Sequence, residues 1–396
     1  MSVKKPAEYS ILIHYSEIGL KKSNRSFFEK KFIANLSEHI TGLKHKRIRL
    51  VSARILIERI NFSEWPEYKL RLKNVMGLAN ATLMLASNME ISDMHASIDN
   101  LLDDLQFENF RVTTKRHYKG FPKTSLDINI LIGEYIQKKT SKKVKLTNPD
   151  RNFIIEILKD KIYIGFDKFI GFGGLPASCQ EKAFSLISSG IDSPVASFEM
   201  IKRGVELDYI HFHSFPAINK QSINNVKKII KILSQYQLKS RLFLVPLLEI
   251  QQKIMQQIDD KFWVLFFRRA MVKLSNMIAE KNNGIALVTG ESVGQVASQT
   301  LSNIRAVADI SDLPILRPLS GLNKVEIIEK AKNIKTYDVS IKPYEDCCSY
   351  FVPIHPETKA KIDQIKKIHS NLDLSKKYKS ALENIEELNF NYKEEL

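Results

Sequence analysis

The sequence predicts an α/β protein in which a C-terminal, doubly wound parallel sheet is preceded by two small α+β units. Three observations predict this class. From residue 181 onward, apolar strand-like runs alternate with helical ones, the rhythm of βαβ units. A Gly- and Pro-dense stretch, GFGGLPAS (Gly171 to Ser178), sets that half apart from what precedes it. The length, 396 residues, exceeds one ordinary core. The expected boundaries are 1–63 and 64–168 for the two small units, 169–180 for a linker and 181–396 for the large sheet.

Residues 9–16 (YSILIHYS) read as a strand. NRSFFEKKFIANLSEHI then places Phe27, Phe28, Phe32, Leu36 and Ile40 near helical spacing, so a helix opens around Asn24. HKRIRLVSARILIERI alternates basic and apolar residues, as half-buried strands do. In the second unit ISDMHASIDNLLDDLQF is helical, and FRVTTKRHYKGFPKTSLDINILIGEYI runs from a strand through a basic turn into a helix. Lys115, Arg116, His117, Tyr118 and Lys119 fall in that turn, with Lys123 just beyond. Cations around an aromatic suit RNA phosphate contact and base stacking.

In the C-terminal half, FSLIS is followed by a helix from Pro194, and DYIHFHSF by a helix over 221–235. RLFLVPL leads to a long helix through FWVLFFRRAMVKLSNMIAEK, and IALVTGES to a helix beginning near Gln295. Ligands of such sheets gather at the carboxyl ends of the strands.

Hydrophobic residues at 44% and charged residues at 26% exclude a disordered chain. Lys+Arg outnumber Asp+Glu by 60 to 44, a net charge of +16 that points to a polyanionic partner. The first 180 residues carry about +11 of it, which makes the leading half the expected footprint. Cys179, Cys347 and Cys348 are the only cysteines, too few for a disulfide framework and suited to a reducing compartment. The opening MSVKKPAEYSILIHYSEIG lacks a signal-peptide pattern, and no apolar run reaches the ~18 residues of a membrane span. A cytoplasmic protein without membrane contact is expected.

The sharpest chemical feature is the run Phe184 to Pro194, FSLISSGIDSP. An apolar strand enters a small-residue loop, and Pro194 stands where a helix would begin. The free amides of that helix start, with the Ser188 and Ser193 hydroxyls around Ser189 and Gly190, form a cradle for phosphate. No lysine follows to neutralise a transferring γ-phosphoryl group, so this is not a Walker loop. The loop resembles the S-G-G-x-D-S pyrophosphate loop (PP-loop) of ATP pyrophosphatases, with Ser189 at the first glycine. A Cβ there would crowd the phosphate approach or forbid a positive φ.

Thr289 to Thr300, TGESVGQVASQT, resembles the T-G-E-x-x-G-Q-V-x-S-Q-T signature of the tRNA 4-thiouridine synthetases, or tRNA sulfurtransferases. Glu345-Asp346-Cys347-Cys348 is similar to that family's cysteine segment, and HYSEIGLKKSNRSFF to its opening, with Ser16 and Lys22 replacing glycines. KRHYKGFPKTSLDIN resembles the most recognisable stretch of a THUMP domain, a tRNA-binding module. The resemblance covers residues 10 to about 355 in order and implies a ferredoxin-like domain, a THUMP domain and a PP-loop ATP pyrophosphatase domain.

It implies adenylation of the C4 oxygen of a tRNA uridine, at tRNA position 8, and replacement of that oxygen by sulfur. ATP contacts would fall on Leu186, Ile187, His211, Phe212, Arg268, Gly290 and Gln299. Asp192 would organise Mg²⁺ or position the reacting oxygen, because a carboxylate among phosphates needs an intervening cation. Arg317 and Lys324 match a basic segment that holds negative charge, although Asn323 stands where aspartate is usual. Lys324 is counted with the catalytic candidates, and no protein residues are assigned as ligands of a resident metal. Cys347 aligns with the sulfur-transfer cysteine, and Cys348 adjoins it.

The tail after residue 369 holds no cysteine, so a form without the family's C-terminal rhodanese domain is expected. Sulfur would form as persulfide on Cys347 or Cys348, arrive from a cysteine desulfurase or other donor, or enter as sulfide. The resemblance further implies a homodimer and, in some organisms, sulfur donation to a thiamine sulfur-carrier protein. Two alternatives stay open: an adenylating tRNA enzyme with a nitrogen nucleophile, and a non-catalytic tRNA-binding relative.

Overall fold

The computed structural model describes residues 8–103, 105–343, 351, 353 and 355–393. The chain divides into two units, Met1–Leu175 and Pro176–Leu396. In the first, β1 (Tyr9–Tyr15), α1 (Arg25–His39), β2 (Arg47–Val51), β3 (Arg54–Ile60), α2 (Trp65–Leu72) and β4 (Leu78–Ser87) come in turn. The helical spacing of the phenylalanines has its expected result: Phe28, Phe32 and Leu36 are buried on α1, while Phe27 stays exposed. There follow α3 (Ile91–Leu102), β5 (Asn109–Arg116), α4 (Ser125–Thr140), β6 (Lys143–Val144), β7 (Arg151–Ile157), β8 (Ile162–Gly165) and β9 (Lys168–Ile170).

These strands form one nine-stranded sheet in the order β2-β3-β1-β4-β8-β7-β5-β6, with β9 paired to β4. β4 lies beyond the expected boundary at residue 63, yet it pairs antiparallel with β1 from Tyr9↔Leu85 to Tyr15↔Leu78. The sheet curls, for Glu156 of β7 hydrogen-bonds His14 of β1 across two intervening strands and Arg54 of β3 across three. Leu12, Leu56, Met84, Ile154, Leu158 and Tyr163 pack inside that curl. Two of the predicted turn residues, Lys115 and Arg116, close β5, and the turn itself starts at His117.

The second unit holds β10 (Lys182–Leu186), α5 (Asp192–Lys202), β11 (Glu206–His213), α6 (Gln221–Gln237), β12 (Lys239–Pro246), α7 (Leu248–Gln257) and α8 (Trp263–Lys281). β13 (Ala286–Val288), α9 (Leu301–Ala308), β14 (Ile315–Leu316), α10 (Lys324–Asn333), α11 (Tyr337–Ser340), α12 (Ile362–Ser370), α13 (Ser375–Glu383) and β15 (Glu386–Asn391) complete it. The strand order is β14-β13-β10-β11-β12-β15, parallel except for the antiparallel edge strand β15. Successive crossovers lead from β10 outward to β11 and β12, then back across to β13. The order therefore reverses between β10 and β13, and a crevice for ligands opens where it does.

Two helix starts differ from expectation. α5 begins at Asp192, so Pro194 is its third residue rather than its first. Proline costs nothing there, because the first four amides of a helix have no intrahelical acceptor. No α-helix begins near Gln295: Gly294 has φ +76, its N–H donates to the Gln299 carbonyl (2.9 Å), and α9 starts only at Leu301. Thr300 caps α9 by accepting from the Asn303 amide (3.3 Å).

Candidate active site

β10 delivers the chain to Leu186, and the turn before α5 is locked by its own serines. The Ser188 amide donates to Ser193 Oγ (2.8 Å), and the Gly190 amide donates to Ser188 Oγ (3.3 Å). Ser189 is buried in this turn and is not among the residues with positive φ, so the backbone accepts a side chain where the resemblance expects glycine. Its hydroxyl has no hydrogen-bond partner among the described residues. A cavity of about 310 Å³ opens above the loop, at the lower end of small-molecule sites. Leu186, Ile187, Ser188, Asp192, Ser193, His211, Phe212, Arg268, Gly290 and Gln299, all singled out in the sequence, line it together. Ser189, Gly190 and Lys324 do not line it. Gly190 accepts from Ser340 Oγ (3.2 Å), and Lys324 Nζ donates to Asp192 Oδ1 (2.6 Å) at the cavity's edge.

Gly290 carries a strict steric demand. A Cβ there would stand 2.7 Å from both Cα and N of Ser193, where neither backbone atom can yield cheaply. Gly290→Ala is expected to displace the α5 start and weaken nucleotide binding by at least about tenfold, measured by equilibrium ATP titration. Wild-type affinity in that variant would mean the contact relaxes at no cost.

Burial pushes the His211 imidazole down to about 4, and its bond to the Ile187 carbonyl only partly opposes this. The ring is neutral, and because a carbonyl only accepts, Nδ1 carries the proton and donates to Ile187 (2.9 Å). Nε2 then accepts from Ser222 Oγ (3.3 Å). The ring's polar atoms thus fix the Ile187 backbone while its edge faces the cavity.

Glu291 was not singled out, though it stands in the T-G-E segment. Its buried carboxylate accepts from Thr289 Oγ1 (3.0 Å), Arg317 Nε (2.6 Å) and Arg268 Nη2. Burial alone would raise this carboxyl, but the two guanidinium charges more than offset it and hold it below its usual range. Two walls of the cavity, on α8 and after β13, are tied at that one group, and Arg317 after β14 braces it from outside the lining. Gln295 was also missed as a site residue, and its Nε2 donates to Asp192 Oδ2 (3.0 Å). Ile210, Val264, Met271, Thr289, Val296 and Ser298 complete the lining unforeseen, apolar or signature positions without a distinguishing local pattern.

Apolar Leu186, Ile187, Ile210, Phe212, Val264 and Met271 suit a base, while the serines and first-turn amides of α5 suit phosphates. The residues fit a nucleotide. Among the described residues no group of three or more His, Cys, Asp or Glu converges as a metal site. Cys347 and Cys348 lie outside the described residues, and Cys179 is buried.

In the first unit, Lys115 and Lys119 are exposed and Lys123 is half-buried. Arg116 is occupied differently: its Nη1 donates to the carbonyls of Phe121 (3.0 Å) and Lys123 (2.8 Å), bracing the turn. Thr124 and Asp127 cap α4 reciprocally. Beneath, the 2%-exposed Glu156 accepts from His14 Nε2 (2.7 Å), His117 Nε2 (3.0 Å) and Arg54 Nε (3.1 Å). Arg54 Nη2 also donates to His117 Nδ1 (3.0 Å), which places that ring's proton on Nε2, toward Glu156. The sequence hint was a lone carboxylate inside an apolar run, FIIEIL.

Three family models match in order: the ThiI ferredoxin-like domain over residues 10–82, the THUMP domain over 90–167, and "Thiamine biosynthesis protein (ThiI)" over 178–374. A probable tRNA sulfurtransferase of Moorella thermoacetica is 38% identical across 95% of this chain and 96% of its own length. One of Thermoanaerobacter sp. (strain X514) is 36% identical across 95% and 98%. A solved 4-thiouridine synthetase–RNA complex with bound ATP superposes with a TM-score of 0.86 at 32% identity, over 97% of this chain and 100% of that one. No helix among the described residues is long and apolar enough to cross a membrane. Such identity along nearly the whole of both chains makes this protein a member of the tRNA sulfurtransferase family.

Proposed function

We propose that this chain is an ATP-dependent tRNA sulfurtransferase that converts a tRNA uridine to 4-thiouridine. The observation that carries this reading is the serine-locked loop running into the first turn of α5 beneath a cavity with an apolar wall, with Asp192 and Lys324 paired at the edge. The C4 oxygen of uridine is a poor leaving group. Its attack on the α-phosphorus of ATP releases pyrophosphate and leaves AMP on that oxygen. A sulfur nucleophile then attacks C4, and AMP departs. The first-turn amides of α5 and the Lys324 ammonium offset the charge that grows on the phosphates. Mg²⁺ would enter with ATP and screen its phosphates. Asp192 is the carboxylate placed to meet it, since Glu291, the other carboxylate lining the cavity, is committed to two arginines.

In this reading the sulfur is the terminal atom of a persulfide on Cys347, supplied by a cysteine desulfurase or another persulfide donor. Once C4 has taken that atom, a thiol such as Cys348 closes a disulfide with Cys347, and an external thiol reductant reopens it. A cytoplasmic homodimer that also serves a thiamine sulfur-carrier protein completes the reading.

The test incubates the purified chain with tRNA, Mg²⁺, ATP and a persulfide donor, and follows AMP, pyrophosphate and nucleosides by mass spectrometry. AMP and 4-thiouridine should appear in step. ATP that never splits into AMP and pyrophosphate would sink the function, and a nitrogen-substituted nucleoside would replace it. Cys347→Ser should abolish 4-thiouridine while AMP formation persists; full thiolation would remove Cys347 from the reaction.

A further inference from the structure

On the same carboxyl edge of the second unit's sheet, beside the nucleotide cavity, lies an open cleft of about 530 Å³ lined by Asn219, Lys220, Gln221, Asn224, Lys342 and Pro343. Two elements build it. One is the loop after β11, which continues from the cavity-wall residues His211 and Phe212. The other is the segment after α11, the helix whose Ser340 donates to the Gly190 carbonyl in the phosphate loop (3.2 Å). The cleft therefore adjoins the loop that would hold pyrophosphate.

Its chemistry is that of a nucleic-acid groove. Phe215 is 43% exposed, and the Lys220 ammonium stands 4.6 Å from the centroid of its ring. Lys220 and Lys342 line the cleft and have no carboxylate partner among the described residues, and Phe215 stands exposed beside Lys220 rather than in the lining itself. At the foot of the loop, His213 keeps a buried Nδ1 without a hydrogen-bond partner among the described residues. Asn224 adds an amide that can donate to phosphate or a base edge, while Gln221 Nε2 donates to Asn225 Oδ1 (2.9 Å) and the Gln221 backbone amide donates to Asn219 Oδ1 (2.8 Å), which stiffens the cleft's rim.

We infer that this cleft holds the tRNA strand next to the target uridine, with phosphate on Lys220 and Lys342 and a neighbouring base stacked on Phe215. The inference rests on the tRNA function proposed above and locates where the catalytic unit itself grips the RNA. A base inside folded RNA must leave its stack before C4 can reach an active site, and an exposed ring beside two cations is what receives the strand so opened. An acidic protein surface would match the lysines but make no use of the stacking face.

The experiment uses the full chain and unmodified tRNA, and measures the KM for tRNA in AMP formation together with the salt dependence of tRNA binding. Phe215→Ala should raise the KM for tRNA about fivefold or more, and Phe215→Trp should restore it. Lys220→Ala with Lys342→Ala should reduce the slope of log affinity against log salt by about 1.4, two single-strand phosphate contacts. The KM for ATP should stay at its wild-type value in every variant. Wild-type tRNA terms in both variants would overturn the site. So would a defect confined to sulfur delivery by a donor protein, which would make the cleft a protein-docking surface. A wild-type chain that makes no AMP fails at the function itself, an outcome distinct from normal tRNA terms in the variants.

Discussion

Glu156→Ala is expected to lower the stability of the N-terminal unit by about 3 kcal/mol, the lower end for breaking a buried ion cluster. Its carboxylate is the common acceptor for Arg54, His14 and His117, which come from three different parts of the curled sheet. Removing it leaves the Arg54 guanidinium, 15% exposed, without its anion. The lower end applies because that side chain and both imidazoles keep some contact with water. Burial would raise the Glu156 carboxyl, but hydrogen bonds from His117 and His14 and the nearby cationic charge outweigh it and hold the group well below the ordinary 4.5. A carboxyl depressed on folding contributes fully above its unfolded value, and the contribution drains away as pH falls below it. The stability gap between wild type and Glu156→Ala should therefore be widest above about pH 5 and close on further acidification. Trp65 and Trp263 are the two tryptophans, so urea unfolding of a Trp263→Phe background reports the first unit through Trp65. A gap under about 1 kcal/mol at neutral pH would show that the three donors find water as readily as Glu156.

Asp192→Asn should slow tRNA-dependent AMP formation by at least about a hundredfold, the scale of losing one preorganised electrostatic group at a reacting centre. The amide keeps the size of the side chain and its place in the first turn of α5, so tRNA affinity should hold. Asp192 and Lys324 form an ion pair (2.6 Å) between residues 132 apart in the sequence, and Gln295 holds the second carboxylate oxygen. Lys324→Met alone should also slow the reaction, and the double variant should lose little beyond the worse single one, as groups that act together do. Rapid-quench measurement of AMP at saturating ATP and tRNA reads this directly. An Asp192→Asn enzyme with wild-type AMP formation would return Asp192 to the role of a helix-start residue.

What the sequence made legible is what short-range pattern encodes. Strand–helix alternation after residue 181 announced the parallel sheet, and the small-residue run before Asp192 announced the phosphate turn. The helix start near Gln295 was misread because apolar and polar residues there mimic helical spacing. Gly294 with its positive φ and the Thr300 cap, both conformational rather than periodic, push that start to Leu301. Of the two grounds on which Ser189 looked disruptive, the need for a positive φ falls away, because the turn does not use one. Glu156 and Glu291 were illegible for another reason. Their basic partners lie from 23 to 142 residues away, and no local period registers a carboxylate that gathers such groups from distant segments. The shared N-terminal sheet was hidden likewise, since nothing in the local pattern of β4 reveals that β1 is its neighbour.

The antiparallel strand β15 lies along β12 from Lys239↔Asn391 to Leu244↔Glu386. Were it peeled away, β12 would offer a row of unclaimed amides and carbonyls to any extended chain that drifted past, an invitation to stick molecule to molecule. This strand thus works as a guard rail: none of its residues lines the nucleotide cavity, yet it keeps the catalytic sheet from growing into its neighbours. Two consecutive charges, Glu386 and Glu387, at its start leave an outermost border that itself discourages further additions.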